Sequence, residues 1–460
     1  SKKSRRARTE LAAFYAVRRE EEEERRGGED ERMRYRVFLH HLRLATSTSS
    51  HCRSSTSTSA HLASCTCINR HPVASSIVGF ATPPSSSRRR GYGWHISFDA
   101  RRRCVVATNA GDKQACGASD VGDLLLPMNT DVQHALQSSI KILQDRDISE
   151  PEESSFHLLA HTLQLSWREG FNQIREIYTY SDSSCELASR KLTDKETSTF
   201  NLLLNRRIGH EPIQYILGRW DFHHLTGIIV REPMLCPRPE TEELVEHVLG
   251  EIDSLLSQQE TEEKIRVLDV GSGTGAIGIA IANRYPNKVQ VVSIDVLRDA
   301  VDLSTDNAEK FLSRHFEGNR QSIESLYRAV LSSAKDFDLE EKGCERGFDI
   351  VVSNPPYIPV RDMSELPSDV LKHESELALC GGDDGLDVIR DIVQNLPHWM
   401  PDDSVPRYCW MEVDDSHPQI LASWLAPGSE EARFWGVEFC EGLKDMYGRY
   451  RFAKLQVKRN

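Results

Sequence analysis

The chain has 460 residues, 39% hydrophobic and 28% charged, with a formal net charge of −13, which allows two or three domains and a sizeable core. The acidic balance provides no overall basic field, so binding to long nucleic acid is not expected, and no apolar run reaches the roughly 18–20 residues needed to cross a bilayer. The eleven cysteines are scattered, and Cys65 with Cys67 lacks the second pair or histidine spacing that zinc requires, so free thiols and no metal site are expected.

Residues 1–32 are a mixed charge run containing Glu20 to Glu24, without a periodic apolar face. From Met33 to about Ala110 the chain is rich in Ser, Thr and Arg, with Asp99 as its one acidic residue. That composition resembles an organelle transit peptide. Arg101-Arg102-Arg103-Cys104-Val105-Val106-Ala107 reads as its processing region, and the abundance of hydroxyl residues favours a chloroplast over a mitochondrion. Residues 1–120 are therefore expected to be a disordered and targeting region, with the transit peptide at 33–110 and no chemistry.

Folded sequence is expected from 121. Leu136, Ile140 and Leu143, then Phe156, Leu159, Leu163 and Leu165, then Phe200, Leu203, Leu204 and Ile208 recur near helical period, which predicts a small helical domain over 121–210, read either as a substrate-recognition domain or as a packing or capping module. Residues 211–236 contain Gly218 and Gly227 between aromatic and β-branched residues, the pattern of a hairpin linker. From 237 to 460 strand and helix alternate. Ile265 to Val270, Val289 to Val296, Ala329 to Ser332 and 348–353 read as strands, with helices at Ala276 to Tyr285, Arg298 to Leu312 and Gly385 to Leu396. Further strands are expected at 407–413, 433–439 and 449–456, the last two closing as an antiparallel hairpin around Gly442 to Gly448. The class is α/β, a Rossmann-like, doubly wound parallel sheet with that hairpin at its end.

Two motifs carry chemistry. Leu268-Asp269-Val270-Gly271-Ser272-Gly273-Thr274-Gly275 lets the backbone approach a ligand where a strand turns into a helix. Asp295 ends the next strand twenty residues after Gly275 and is placed to accept both hydroxyls of a ribose. This pattern serves a dinucleotide or S-adenosylmethionine alike. Asp269 favours the second, because its charge opposes a pyrophosphate and suits the α-amino group of S-adenosylmethionine. Asn354-Pro355-Pro356-Tyr357, at the carboxyl end of the fourth strand, favours it further. The two prolines stiffen the turn and aim its carbonyls outward, Asn354 and the Pro355 carbonyl can each accept a hydrogen of a planar NH2 group, and the Tyr357 ring can pack on its flat face. Hydride transfer needs no such turn. The alternative for the tetrapeptide is a stiff strand end with no chemistry.

With these motifs the chain resembles the HemK/PrmC family of release-factor glutamine methyltransferases over about residues 130–457. The same family order includes Ile208 to Gly218, Pro237-Arg238-Pro239-Glu240-Thr241-Glu242, and the block from Glu374 through Ala378-Leu379 to Gly381-Gly382-Asp383-Asp384-Gly385-Leu386. The resemblance implies methyl transfer from S-adenosylmethionine to the side-chain nitrogen of the Gly-Gly-Gln glutamine in an organellar class I peptide-chain release factor. It implies Asn354, Pro355, Pro356 and Tyr357 as the substrate site, with Asn354, Pro355 and Tyr357 catalytic. It also implies Asp269, Gly271, Ser272, Gly273, Thr274, Gly275, Asp295, Asn354 and either Asp336 or Phe337 around the methyl donor. Cys236, Ser375 and Ala334-Lys335-Asp336 depart from the family pattern. An N6-adenine methyltransferase, which would need a base-reading surface, and a non-catalytic assembly factor of the same fold are the competing readings.

Overall fold

The computed structural model describes residues 125–180, 185–258, 263–316, 319–400 and 407–458. The charged run and the transit-peptide-like segment at 1–120 lie outside them.

Helices Val132–Asp145, Pro151–Thr162, Trp167–Tyr180, Glu186–Ser189 and Asp194–Ile208 open the described chain. Asp131 caps the first by accepting the His134 N–H at 2.8 Å. Thr193 and Glu196 form a reciprocal capping box on the last. Their apolar stripes meet in a core of their own that includes Leu136, Leu143, Leu159, Ile174, Phe200 and Leu204. A further helix at Ile213–Leu217 lies inside the stretch expected to be hairpin alone, and the antiparallel hairpin β1 (Arg219–Phe222) and β2 (Leu225–Ile229) follows it.

The remaining strands are β3 (Ile265–Val270), β4 (Val289–Asp295), β5 (Tyr327–Leu331), β6 (Ile350–Ser353), β7 (Arg407–Glu412), β8 (Val437–Lys444) and β9 (Tyr450–Val457). They form one sheet in the order β5-β4-β3-β6-β7-β9-β8, with β9 antiparallel to both neighbours and the other pairings parallel. Burial on both faces explains the near-continuous apolar strands. Val267, Val291, Ile350 and Val352 face a core shared with helices Pro239–Gln258, Ala276–Arg284 and Arg298–Leu312. Leu268, Val270, Val292, Ile294 and Val351 face the opposite core, filled by Ile389, Val393, Leu396 and Trp399 of helix Asp387–Trp399.

The segment expected to be a strand at 433–439 is helix Glu430–Trp435 in its first half. Ser429 caps that helix, accepting the Ala432 N–H at 3.0 Å, and two acidic residues occupy its first turn. β8 begins at Val437, and the reversal into β9 falls at Asp445 to Arg449, where the Asp445 carboxylate accepts the Tyr447 and Arg449 N–H groups.

From β3 the chain winds outward in both directions, so the carboxyl ends of β3 and β6 flank a crevice. Val270 pairs with Ser353, and the Ser353 hydroxyl donates to the Val270 carbonyl at 2.7 Å. This register sets Gly271 beside Asn354.

Candidate active site

A cavity of about 400 Å³ opens at this crevice, within the size range of small-molecule sites. Gly271, Ser272, Gly273 and Thr274 form its floor, Asp295, Val296 and Leu297 one wall, and Asn354, Pro356, Arg238 and Thr241 another. Gly271, Gly273 and Gly275 all have positive φ, at 82°, 50° and 81°, a turn that residues with a Cβ adopt only with strain. A Cβ on Gly273 would meet nothing within 4 Å, whereas one on Gly275 would lie 2.7 Å from Ile279 and 2.9 Å from Ser304. Gly273 therefore leaves room on the ligand side, and Gly275 lets the following helix pack tightly.

Asp295 is held at the edge of this cradle. Its Oδ2 accepts the Gly273 N–H at 2.9 Å and its Oδ1 the Leu297 N–H at 2.9 Å. Burial raises its pKa while these backbone bonds oppose the shift. Both oxygens keep further lone pairs for a diol. The open floor, the strand-end carboxylate and the cavity's size fit S-adenosylmethionine, with Gly271 to Gly275 and Asp295 as the residues that would hold it.

The structure does not bring Asp269 to this cavity. Strand alternation puts it on the same face as Val267, under helix Ala276–Arg284, where it is 1% exposed. Its Oδ2 accepts from the Gly278 N–H at 3.2 Å and the Ser293 hydroxyl at 3.0 Å, and its Oδ1 has no partner among the described residues. Burial pushes its carboxyl up to about 7. Its pKa is thus raised above the ordinary aspartate value of 3.8, so between those pH values the folded protein holds a proton that the unfolded chain has lost, and stability falls as pH rises through that window. Asp269→Asn is expected to melt several degrees above the parent at pH 8, with the difference closing by about pH 4; melting curves at both pH values check this.

The residues expected at the adenine are also placed elsewhere. Phe337 is 3% exposed and packs against Phe348 and Trp399, accepting the Trp399 indole N–H on its carbonyl at 3.2 Å. Asp336 is exposed and bonded to Ser333. Ser332 and Ala334, from the end of β5, line the cavity in their stead.

In the Asn354 to Tyr357 turn, Asn354 and Pro356 line the cavity, while Pro355 is buried behind it. The Asn354 amide donates through Nδ2 to the Thr241 hydroxyl at 3.0 Å. Its Oδ1 receives no hydrogen bond from the described residues. The Tyr357 ring is not part of the cavity wall. Its hydroxyl donates to Glu412 at 3.1 Å, and the Arg451 guanidinium lies 5.7 Å over the ring, which turns it toward β7 and β9. Burial raises the Tyr357 pKa, and the neighbouring Glu412 charge adds to that shift.

The Gly381 to Gly385 block supports the turn, with Gly381 and Gly382 also lining the cavity. The Ile358 N–H donates to the Leu379 carbonyl, and the Gly381 N–H to the Ile358 carbonyl, both at 2.9 Å. Gly385 has φ +79°, and a Cβ there would come within 2.3 Å of the Tyr357 carbonyl. Gly385→Ala is expected to cost about 1–3 kcal/mol of stability and to lower transfer by shifting the turn. Thermal melts with parallel rate measurements test both effects. Arg238, on the cavity wall, donates to both oxygens of buried Glu374 at 2.7 and 2.8 Å, joining the Pro237 block to the segment before Ser375. Among the described residues no group of three or more His, Cys, Asp or Glu is placed to hold a metal ion. No helix among them is long and apolar enough to cross a membrane.

A sheet of this order with a glycine cradle and a strand-end aspartate defines a Rossmann-like, S-adenosylmethionine-dependent methyltransferase. The Methyltransferase small domain family matches residues 252–373 and the PrmC N-terminal domain family residues 134–218. The human MTRF1L release factor glutamine methyltransferase is 31% identical over 315 residues, spanning 68% of this chain and 84% of the human protein. The Streptococcus pneumoniae release factor glutamine methyltransferase is 30% identical over 275 residues, spanning 60% and 85% of the two chains. The chain belongs to the release factor glutamine methyltransferase family. Among solved structures, the N-terminal domain of human METTL16 in complex with SAH matches with a TM-score of 0.35 and 16% identity, over 62% of this chain and 94% of that one, a likeness too loose to bear on the site.

Proposed function

We propose that this chain methylates the side-chain nitrogen of the glutamine in the Gly-Gly-Gln loop of a class I peptide-chain release factor, with Asn354 as the group that receives the amide. Family membership supports the reaction, and the observation that carries the site is Asn354 on the cavity wall beside the glycine cradle, its Nδ2 committed to Thr241 and its Oδ1 without a protein donor among the described residues. Bound S-adenosylmethionine supplies an activated methyl on a sulfonium.

The protein's own residues then have an alignment task. An amide nitrogen is a poor nucleophile because its lone pair is delocalised. Asn354 Oδ1 accepts one amide hydrogen, which draws the nitrogen toward tetrahedral geometry and holds it in line with the methyl, while Pro355, buried behind the wall, stiffens the turn that carries Asn354. Such alignment is worth up to about 7–11 kcal/mol in well-oriented systems. A strong base is unnecessary, because the nitrogen becomes acidic on methylation and releases its proton to solvent. Tyr357 acts by bracing the turn, and Pro356 closes the wall next to Asn354.

The helical segment 121–210 is assigned to gripping the release factor, the segment 211–236, with helix Ile213–Leu217 and the hairpin Arg219–Ile229, to linking, and 237–460 to transfer. We assign the substrate to an organelle on the acid-poor composition of residues 33–110. The hydroxyl-rich character of that segment favours a chloroplast over a mitochondrion. Incubation with labelled S-adenosylmethionine and either a class I release factor or an adenine-containing oligonucleotide tests the function. Label is expected on the release factor alone, and label on the oligonucleotide would instead support the adenine reading. A fluorescent fusion of the full chain, imaged in cells, tests the compartment.

A further inference from the structure

Behind Asn354 runs a buried chain of hydrogen bonds that the transfer geometry does not use directly. Asn354 Nδ2 donates to Thr241 Oγ1 at 3.0 Å, and the Thr241 hydroxyl donates to Glu412 Oε2 at 2.7 Å. From the other side the Tyr357 hydroxyl donates to Glu412 Oε1 at 3.1 Å, and Arg451 Nη1 donates to the Tyr357 oxygen at 3.4 Å. Glu412, the last residue of β7, is 2% exposed, and Thr241 is 5% exposed.

The direction of every bond in this chain follows from the acceptor at its centre. Burial raises the Glu412 pKa, while the hydroxyl bonds from Thr241 and Tyr357 and the nearby Arg451 charge favour its ionised form, and a carboxylate accepts at both oxygens and donates at neither. Thr241 has one hydroxyl proton and commits it to Glu412, so toward Asn354 its oxygen can only accept. The end of the Asn354 amide that meets Thr241 must then be the NH2, and the end that meets the cavity must be the oxygen. An Asn354 amide turned over would present two N–H donors to the two N–H donors of the incoming glutamine.

We propose that Glu412, acting through Thr241, is the positioning residue that sets which end of the Asn354 amide faces the substrate. The proposal rests on the reading that Asn354 Oδ1 accepts a glutamine amide hydrogen. Glu412→Gln keeps the shape but brings an NH2 into the chain. With the oxygen of the introduced amide on Tyr357, its NH2 donates to Thr241, Thr241 then donates to Asn354, and the Asn354 amide turns over.

The test measures steady-state methylation of a class I release factor, with S-adenosylmethionine affinity measured separately by titration calorimetry. Glu412→Gln is expected to lower kcat about 10- to 100-fold with the S-adenosylmethionine Kd within about threefold. Adding Asn354→Asp to Glu412→Gln gives a consistent donor order again, since Thr241 then donates to a carboxylate that still offers an oxygen to the substrate. The double variant is expected to exceed Glu412→Gln in kcat, a recovery that a merely structural glutamate would not produce. Should Glu412→Gln fail to fold, Thr241→Val and Thr241→Ser carry the test: the serine variant is expected to exceed the valine variant by at least about tenfold. A parent enzyme that leaves the release factor unmethylated would remove the reading of Asn354. An active parent with unimpaired Glu412→Gln, an absence of recovery in the double variant, or equal rates for the two Thr241 variants would overturn the relay alone.

Discussion

Asn354→Ala is expected to lower kcat by about 100- to 1,000-fold while leaving the S-adenosylmethionine Kd within a few fold. The side chain contributes one acceptor at the point where positive charge develops on the attacking nitrogen, and removing one preorganised group of this kind costs about 3–4 kcal/mol. Its Nδ2 is spent on Thr241 and its Oδ1 has no donor among the described residues, so the truncation removes an acceptor on the cavity wall without touching the glycine cradle. Titration calorimetry beside a methylation assay separates the two quantities. A variant that still transfers at the parental rate would remove Asn354 from the mechanism.

Asp295→Ala should show the reverse order of effects, with binding lost before transfer. The carboxylate accepts from the Gly273 and Leu297 N–H groups, so its removal both unfastens the cradle and deletes the acceptor for the ribose hydroxyls. Hydrogen bonds to a charged group contribute about 1.5–3 kcal/mol each, which predicts a rise in the S-adenosylmethionine Kd of about 100-fold or more. At donor concentrations that saturate the variant, kcat is expected to recover to within about tenfold of the parent. A variant that binds normally would place the ribose elsewhere.

The parts of this site that were readable from the sequence are those where chemistry and local structure coincide. β3, β4 and β6 are near-continuous apolar runs because both sheet faces are covered, and the positive-φ glycines and Asn354 stand directly at their carboxyl ends. Asp269 looked like a ligand group because it is a charged residue at a strand end. Its parity with Val267, however, sends it beneath Gly278, where a Cβ would lie 2.9 Å from its Oδ2. The aromatic Phe337 is spent on Phe348 and Trp399, which leaves the small Ser332 and Ala334 to face the cavity. The strand expected at 433–439 failed because a Ser cap and two first-turn glutamates outweigh the β-prone Phe434 and Trp435. The relay behind Asn354 gives no local signal. Thr241 and Glu412 are 171 residues apart and meet only because helix Pro239–Gln258 starts above the end of β7.

The central claim is that one glutamine nitrogen, held by Asn354, receives the methyl. Fragment mass analysis of a class I release factor after incubation with this enzyme and S-adenosylmethionine tests it most directly. One added methyl on the side chain of the Gly-Gly-Gln glutamine, absent with Asn354→Ala, is the predicted result. A methyl found on another residue, or found equally with Asn354→Ala, would contradict it.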